Sequence, residues 1–276
     1  MPLDLPYFDD LFSRAADSPI GRAFQRHVHW GYFATSGAVD DSDEGFQVAA
    51  EAMTQRVTMA ARVRSGSRIL DVGCGVGGTI AHLNERLSDC QLVGLNIDER
   101  QLVRARQLVQ PGRGNSVGFV QGDACELPFD DGAFDVVTAV ECIFHFPSRQ
   151  RFFHQARRVL RPGGTLMVSD ILIDGDKVDQ MNAWVQHNAS ALGGFYGSST
   201  STSVTSSVYA ELAASEGFTV LSDTDITAAT MPTYPFLKRL YRDAGRPDGV
   251  KATAFIEEMS RRGFFQYRIL SFEAKG

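Results

Sequence analysis

Positive charge is scarce in this chain, and so are long apolar runs, tryptophan and paired cysteines. The 276 residues carry 27 Lys and Arg against 33 Asp and Glu, a formal net charge of −6 with His neutral. A nucleic-acid partner requires a basic stripe to neutralise phosphates, so the balance argues against one. Four cysteines, Cys74, Cys90, Cys125 and Cys142, form no CxxC pair. That argues against a zinc site and fits reduced thiols in a cytoplasmic enzyme. No apolar run is long enough to span a bilayer, and no basic segment followed by an apolar one opens the chain. The expected location is therefore the cytoplasm, with no membrane partner and no metal. Tryptophan and tyrosine are few, at 2 and 7, but there are 19 Phe. Most belong in a core. Phe8, Phe12, Phe24, Phe33, Phe195 and Phe236 lie outside the expected strands and are candidates to line an apolar pocket.

The most informative stretch runs Arg68-Ile69-Leu70-Asp71-Val72-Gly73-Cys74-Gly75-Val76-Gly77-Gly78. An apolar run ending in an acid and then glycines reads as strand, tight loop and helix, the helix opening at Thr79. Glycines allow a sharp turn and a close approach of ligand to backbone. The helix behind them offers free N–H groups. From here the pattern alternates. Strands are expected over 68–72, 91–95, 117–121, 134–140 and 165–170, with helices over 78–87, 98–109 and 148–160 between them. Such alternation implies right-handed βαβ units and a parallel sheet buried on both faces.

Around this core the spacing predicts helices over 3–27 (the second starting at Pro19), 45–63, 177–192, 207–216 and 231–262, the last with polar connections near residues 245–249, and late strands over 218–223 and 264–272. The Ser/Thr run 198–207 is expected to be an ordered loop, being short and flanked by helical patterns. The domain reading is an N-terminal helical cap over 1–45 and a cofactor-binding core over 46–173. A substrate cap follows over 174–203 and 228–262, and 204–227 with 263–276 completes the sheet.

A glycine loop after a first strand also serves dinucleotides. Here the loop reads Gly73-x-Gly75-x-Gly77 rather than G-x-G-x-x-G, Asp71 sits at the strand end, and Gly122-Asp123-Ala124 closes the third strand. Together with Phe134-Asp-Val-Val and Leu160-Arg-Pro-Gly-Gly-Thr-Leu, these motifs resemble, in order, those of class I S-adenosylmethionine-dependent methyltransferases over residues 68–172. The resemblance implies a Rossmann-like α/β fold: a seven-stranded, mostly parallel sheet with an antiparallel last strand, helices on both faces and a helical cap. It implies S-adenosyl-L-methionine as cofactor. Gly73 and Gly75 would admit the methionine moiety and Asp71 would face its amino group. Asn96, where most relatives carry an acid, would hold the ribose hydroxyls with Gln101 nearby. Asp123 would accept from the adenine amino group, with Ala124 offering its N–H. As a plain turn residue, Asp123 would instead cap Gly122.

The chemistry belongs at the carboxyl ends of the strands. Glu141-Cys142-Ile143-Phe144-His145 follows the fourth strand and Asp170 ends the fifth. His145 is the candidate general base, with Asp170 to orient it; its competing reading is a structural histidine beneath the cofactor. Glu141 is read as a cofactor-side or structural carboxylate. This part resembles natural-product O-methyltransferases acting on sugars and polyketides, many of which carry two consecutive histidines where this chain has Phe144-His145. His29-Trp30-Gly31-Tyr32 resembles their His-x-Gly-Tyr segment, which implies that Tyr32 closes over the cofactor. His187 and Tyr196 are weaker candidates to reach the substrate. The expected activity is methyl transfer to a hydroxyl of a small, largely apolar acceptor. The alternatives are C-methylation of an isoprenoid-like alkene and a methyltransferase-like cyclase. Small-molecule relatives often dimerise, so a homo-oligomer is the partner to test.

Overall fold

The computed structural model describes residues 18–33, 40–188 and 204–276. Leu5, Phe8, Phe12, Ala15, Phe195, Tyr196 and most of the Ser/Thr run lie outside the described residues. Seven strands form one sheet: β1 (Arg68–Val72), β2 (Gln91–Asn96), β3 (Ser116–Gln121), β4 (Phe134–Val140), β5 (Leu160–Ile173), β6 (Phe218–Asp225) and β7 (Phe265–Ala274). Their order is β3-β2-β1-β4-β5-β7-β6. β1 to β5 pair in parallel, and β7 runs antiparallel to both β5 and β6. This is the expected sheet.

The sheet is buried on both faces because its central strands carry apolar residues on both sides. On one face Leu70, Val137, Leu166 and Val168 pack with Phe152, Phe153 and Phe272. On the other Ile69, Val136 and Met167 pack with Met53, Val57 and Ile80. The period of two sends alternate residues to opposite layers. Each fully buried side chain of this size contributes roughly 1.5–3 kcal/mol relative to exposure.

Helices α1 (Pro19–Ala23) and α2 (Asp43–Ala60) precede the sheet, and α3 (Gly78–Arg86), α4 (Glu99–Leu108) and α5 (Arg149–Val159) connect its strands. Ser42, Asp98 and Ser148 cap α2, α4 and α5 by accepting from backbone N–H groups in the first turn. After β5 come α6 (Val178–Asn188), α7 (Ser206–Ser215), α8 (Thr227–Thr230), α9 (Thr233–Asp243) and α10 (Pro247–Arg261). The helical stretch expected over 231–262 divides at its connection near residues 245–249. Pro232 precedes α9, while Gly245 at φ +68° and Pro247 separate α9 from α10. The fifth strand is longer than expected because Leu160 pairs with Phe134 across a register shift and β7 follows β5 to Ile173.

Of the candidate pocket phenylalanines, the described ones, Phe24, Phe33 and Phe236, line neither of the two cavities at the strand ends. Phe46 stacks on Phe236 at 4.1 Å and meets the edge of Phe24 at 5.6 Å. With Phe33 they form a small apolar core between the N-terminal segment and α9. Among the described residues no helix is long and apolar enough to cross a membrane.

Candidate active site

The strand ends open onto a cavity of about 510 Å³. It extends from Gly73 and Gly75, past Asn96, Gln101 and Asp123, to Glu141, His145 and Phe146. A smaller pocket beside it is lined by Asp71, Thr79 and the segment Arg26–His29. Gly73 sits at φ +71°, and a Cβ there would lie 2.7 Å from Cys142 Sγ. Only glycine fits both the left-handed backbone and the approach of the β4 end.

Asp71 is 2% exposed and accepts a hydrogen bond from Thr138 Oγ1 at 2.7 Å. The β1–β4 register puts the two residues opposite each other. Burial pushes the Asp71 carboxyl up to about 7, against the pull of Thr138 and Thr79. At the end of β2, Asn96 Nδ2 donates to Gln101 Oε1 at 3.1 Å, and Asn96 Oδ1 accepts from the Asp98 amide at 3.1 Å. Both side chains are buried and preset. Asp123 lines the cavity beside Ala124, and its Oδ1 accepts from the Cys125 amide at 2.7 Å.

Glu141 is the most heavily engaged of these groups. Its backbone is left-handed at φ +47°, a strained conformation for a residue with a Cβ. The Trp30 amide donates to Oε1 at 2.8 Å, the Tyr267 hydroxyl donates to the same atom, and the Glu141 amide donates to the Ser169 carbonyl at 3.2 Å. Burial raises its carboxyl to about 8 despite these donors. Trp30 in turn meets Tyr234 at 4.8 Å and Tyr267 at 5.8 Å between ring centroids. Nothing local in the sequence marks Tyr267 or Trp30 as neighbours of Glu141, because they come from opposite ends of the chain.

His145 closes a 3-10 turn over Ile143–His145 and is 9% exposed on the cavity wall. Burial lowers its pKa to about 4, so the imidazole is neutral. The expected pairing with Asp170 is corrected. Asp170 is fully buried, and its Oδ2 accepts from Tyr209 Oη at 2.5 Å and Arg149 Nη2 at 3.1 Å. Its Oδ1 accepts from the Ile171 amide at 2.8 Å. Tied to α5 and α7, it orients Arg149 and Tyr209 and lines neither pocket. Tyr32 also departs from expectation. Its amide donates to Ala49 O at 2.8 Å, and its ring lies 4.6 Å from the Arg56 guanidinium on α2. Val28, from the same segment, reaches the cavity instead. His187 is exposed and bonds back to Ala183 O at 2.7 Å in its own helix.

This geometry coincides with clear kinship. A family of methyltransferase domains matches residues 70–168. Methyltransferase GfsG of Streptomyces halstedii is 34% identical over 235 residues, covering 82% of this chain and 80% of that protein. The chain belongs to the class I S-adenosylmethionine-dependent methyltransferases. The 27-O-demethylrifamycin SV methyltransferase of Amycolatopsis mediterranei is 37% identical over 145 residues, 52% of this chain and 53% of that protein. Mycolic acid cyclopropane synthase CmaA1, solved with SAH and CTAB, has the same fold: TM-score 0.77 at 19% identity, over 96% of this chain and 94% of that one.

The residues present fit the family's cofactor. A buried carboxylate faces the small pocket beside the glycine loop, a donor–acceptor pair stands at the end of β2, and the larger cavity runs on past Asp123 to His145. The segment 26–29 covers the loop closely. A Cβ at Gly78 would lie 2.2 Å from the Arg26 carbonyl oxygen and 2.4 Å from His27 Nδ1. Gly78→Ala is therefore expected to push this segment off the loop, with a stability loss of about 1–3 kcal/mol and weaker S-adenosylhomocysteine binding. Urea unfolding and calorimetry check both; unchanged affinity would show that the segment does not hold the cofactor in place.

Proposed function

We propose that the chain transfers a methyl group to a hydroxyl of a small, largely apolar natural-product acceptor, with His145 as the general base. The observation that carries this reading is the neutral His145 imidazole on the wall of the cavity, beside Phe146 and Glu141. The cofactor supplies an activated methyl on a sulfonium. The chain must align the acceptor oxygen with that methyl and take up the hydroxyl proton. Burial keeps His145 in its base form across the neutral range but lowers its proton affinity, so it takes the proton as methyl transfer makes the acceptor oxygen strongly acidic. Asp71, Asn96, Gln101, Asp123 and Ala124 are assigned to hold the cofactor with Gly73 and Gly75, and Glu141 to fix the boundary between cofactor and acceptor. The 27-O of the rifamycin relative's name adds support for oxygen as the methylated atom.

C-methylation of an alkene is the second reading. Sterol 24-C-methyltransferase erg6 of Schizosaccharomyces pombe, 31% identical over 202 residues, supports this reading. Such a reaction needs a base only for the final proton loss.

Incubation with S-adenosylmethionine, hydroxylated polyketides and isoprenoid alkenes, read by mass spectrometry, separates the two. For O-methylation, His145→Ala is expected to lower kcat about 10²–10⁴-fold with cofactor affinity unchanged. Retention of most activity in that variant would turn the assignment to C-methylation.

A further inference from the structure

A run of hydrogen bonds leads from the protein surface to Glu141, and it contains one more link than its neutral groups can supply with protons. Glu51 on α2 has a side chain 29% exposed, and its Oε2 lies 2.8 Å from His27 Nε2. His27 Nδ1 lies 3.2 Å from Thr54 Oγ1, which lies 2.9 Å from His29 Nε2. His29 Nδ1 lies 2.9 Å from the Trp30 carbonyl oxygen. The Trp30 amide then donates to Glu141.

Both ends of the His27–Thr54–His29 unit face pure acceptors. A carbonyl only accepts, and so does an ionised carboxylate. Glu51 is ionised, since the hydrogen bonds from His27 and His82 hold its carboxyl far below the usual range. Two imidazoles and one hydroxyl therefore make four links: to the Trp30 carbonyl, between His29 and Thr54, between Thr54 and His27, and to Glu51. In their neutral forms they carry three protons for these links. All links form together only when one imidazole is an imidazolium. His29 is enclosed, and burial pushes its pKa down to about 3. The extra proton thus belongs on His27, against Glu51. Thr54 then donates to His29 and accepts from His27. Its other acceptor, Ala50 O at 3.3 Å, would require both imidazoles to be charged.

We propose that Thr54 and His29 are positioning residues for the active-site carboxylate: a proton loaded onto His27 completes the links and fixes the Trp30 amide against Glu141. The proposal rests on Glu141 belonging to the methyl-transfer site, but its test uses no methyl transfer. The charged groups facing His27 are Glu51 from α2, His82, Glu85 and Arg86 from α3, and Arg26 from its own segment. His82 Nδ1 and Arg86 Nη1 lie 2.7 and 3.0 Å from Glu51 Oε1. Arg26 bonds both Glu85 oxygens at 2.8 Å and comes within 3.5 Å of Glu51. Burial, then Arg26 and His82, lowers the His27 pKa, with Glu51 opposing. The links are therefore complete below that lowered pKa, and one is lost as pH rises through it.

Imidazole ¹⁵N NMR of the intact protein between pH 8 and pH 5 tests this directly. His29 is expected to stay neutral with its proton on Nδ1, while His27 gains a second proton on acidification. Thr54→Ser keeps the hydroxyl and should reproduce the native pattern. Thr54→Val removes it and should change the His27 titration. Thr54→Val costs two links when His27 is charged and one when it is neutral, so affinity for S-adenosylhomocysteine should fall about 5-fold more at pH 5 than at pH 8, the difference expected for one hydrogen bond. The ratio to wild type at each pH cancels the titration of Asp71, which all forms share. A neutral His29 protonated on Nε2 overturns the proposal. So does a His27 titration unchanged in Thr54→Val, or an equal affinity loss at both pH values. The native NMR pattern decides the matter even if Thr54→Val does not fold.

Discussion

Asp71→Asn is expected to weaken cofactor binding about 30- to 100-fold at pH 8 while making the free protein more stable. Both effects come from one carboxylate. Asp71 is 2% exposed, and burial raises its pKa from 3.8 to about 7. A carboxyl whose folded pKa is raised holds its proton more tightly in the folded state. Stability from this group therefore falls as pH climbs from about 4 to about 7, and above 7 the full cost is present, up to about 4 kcal/mol. Asn keeps the acceptor that Thr138 uses and carries no such cost. It loses the charge-assisted bond to the cofactor's ammonium, which is worth about 2–3 kcal/mol. The wild type should bind more tightly by about tenfold per pH unit up to 7 and then level off, because binding must expel the Asp71 proton at lower pH. Calorimetry in buffers of different ionisation enthalpy should register close to one proton released at pH 6 and almost none above pH 8. Equal affinity in wild type and Asp71→Asn would remove Asp71 from the cofactor site.

The core of the fold and the floor of the cavity were legible in the sequence because their signals are local. The first five strands are short apolar runs separated by helical spacing, and the loop glycines, Asn96, Gln101 and Asp123 each sit at or near a strand end where topology brings them together. The groups that hold Glu141 were not legible, since they come from residues far apart in the chain. Trp30 and Glu141 meet across 111 positions, and Tyr267 reaches the same carboxylate across 126. Thr54 sits in the middle of α2, where a threonine carries no pattern of its own. Tyr32 rested on the resemblance of its segment to the family's His-x-Gly-Tyr, but its ring lies against Arg56 on α2 and Val28 is on the cavity. Asp170 was assigned to His145 by their places on adjacent strand ends. A strand-end carboxylate can face the cleft or the layer beneath, and the buried Arg149 decided for the layer.

That buried pair carries the largest stability effect expected in the molecule. Arg149 and Asp170 side chains are 9% and 0% exposed, joined at 3.1 Å, and Tyr209 links to both. They fasten α5 and α7 to β5. Arg149→Met keeps much of the volume and removes the cation, leaving Asp170 a buried acid with Tyr209 and one backbone amide. The loss should be about 3–5 kcal/mol at pH 8, because an uncompensated buried charge costs more than the pair contributes. Asp170 already titrates above its ordinary value, burial outweighing its donors, and losing Arg149 raises it further. The raised folded pKa makes the penalty grow as pH rises, so the loss should be smaller at pH 5 than at pH 8. Replacing the triad together, as Arg149→Met, Asp170→Leu and Tyr209→Phe, should recover most of it. Urea unfolding at pH 5 and pH 8 reads both effects. A loss equal at the two pH values would mean that Arg149 acts by packing alone. Cofactor affinity should be nearly unchanged in the folded Arg149→Met protein, since none of the three residues lines either pocket.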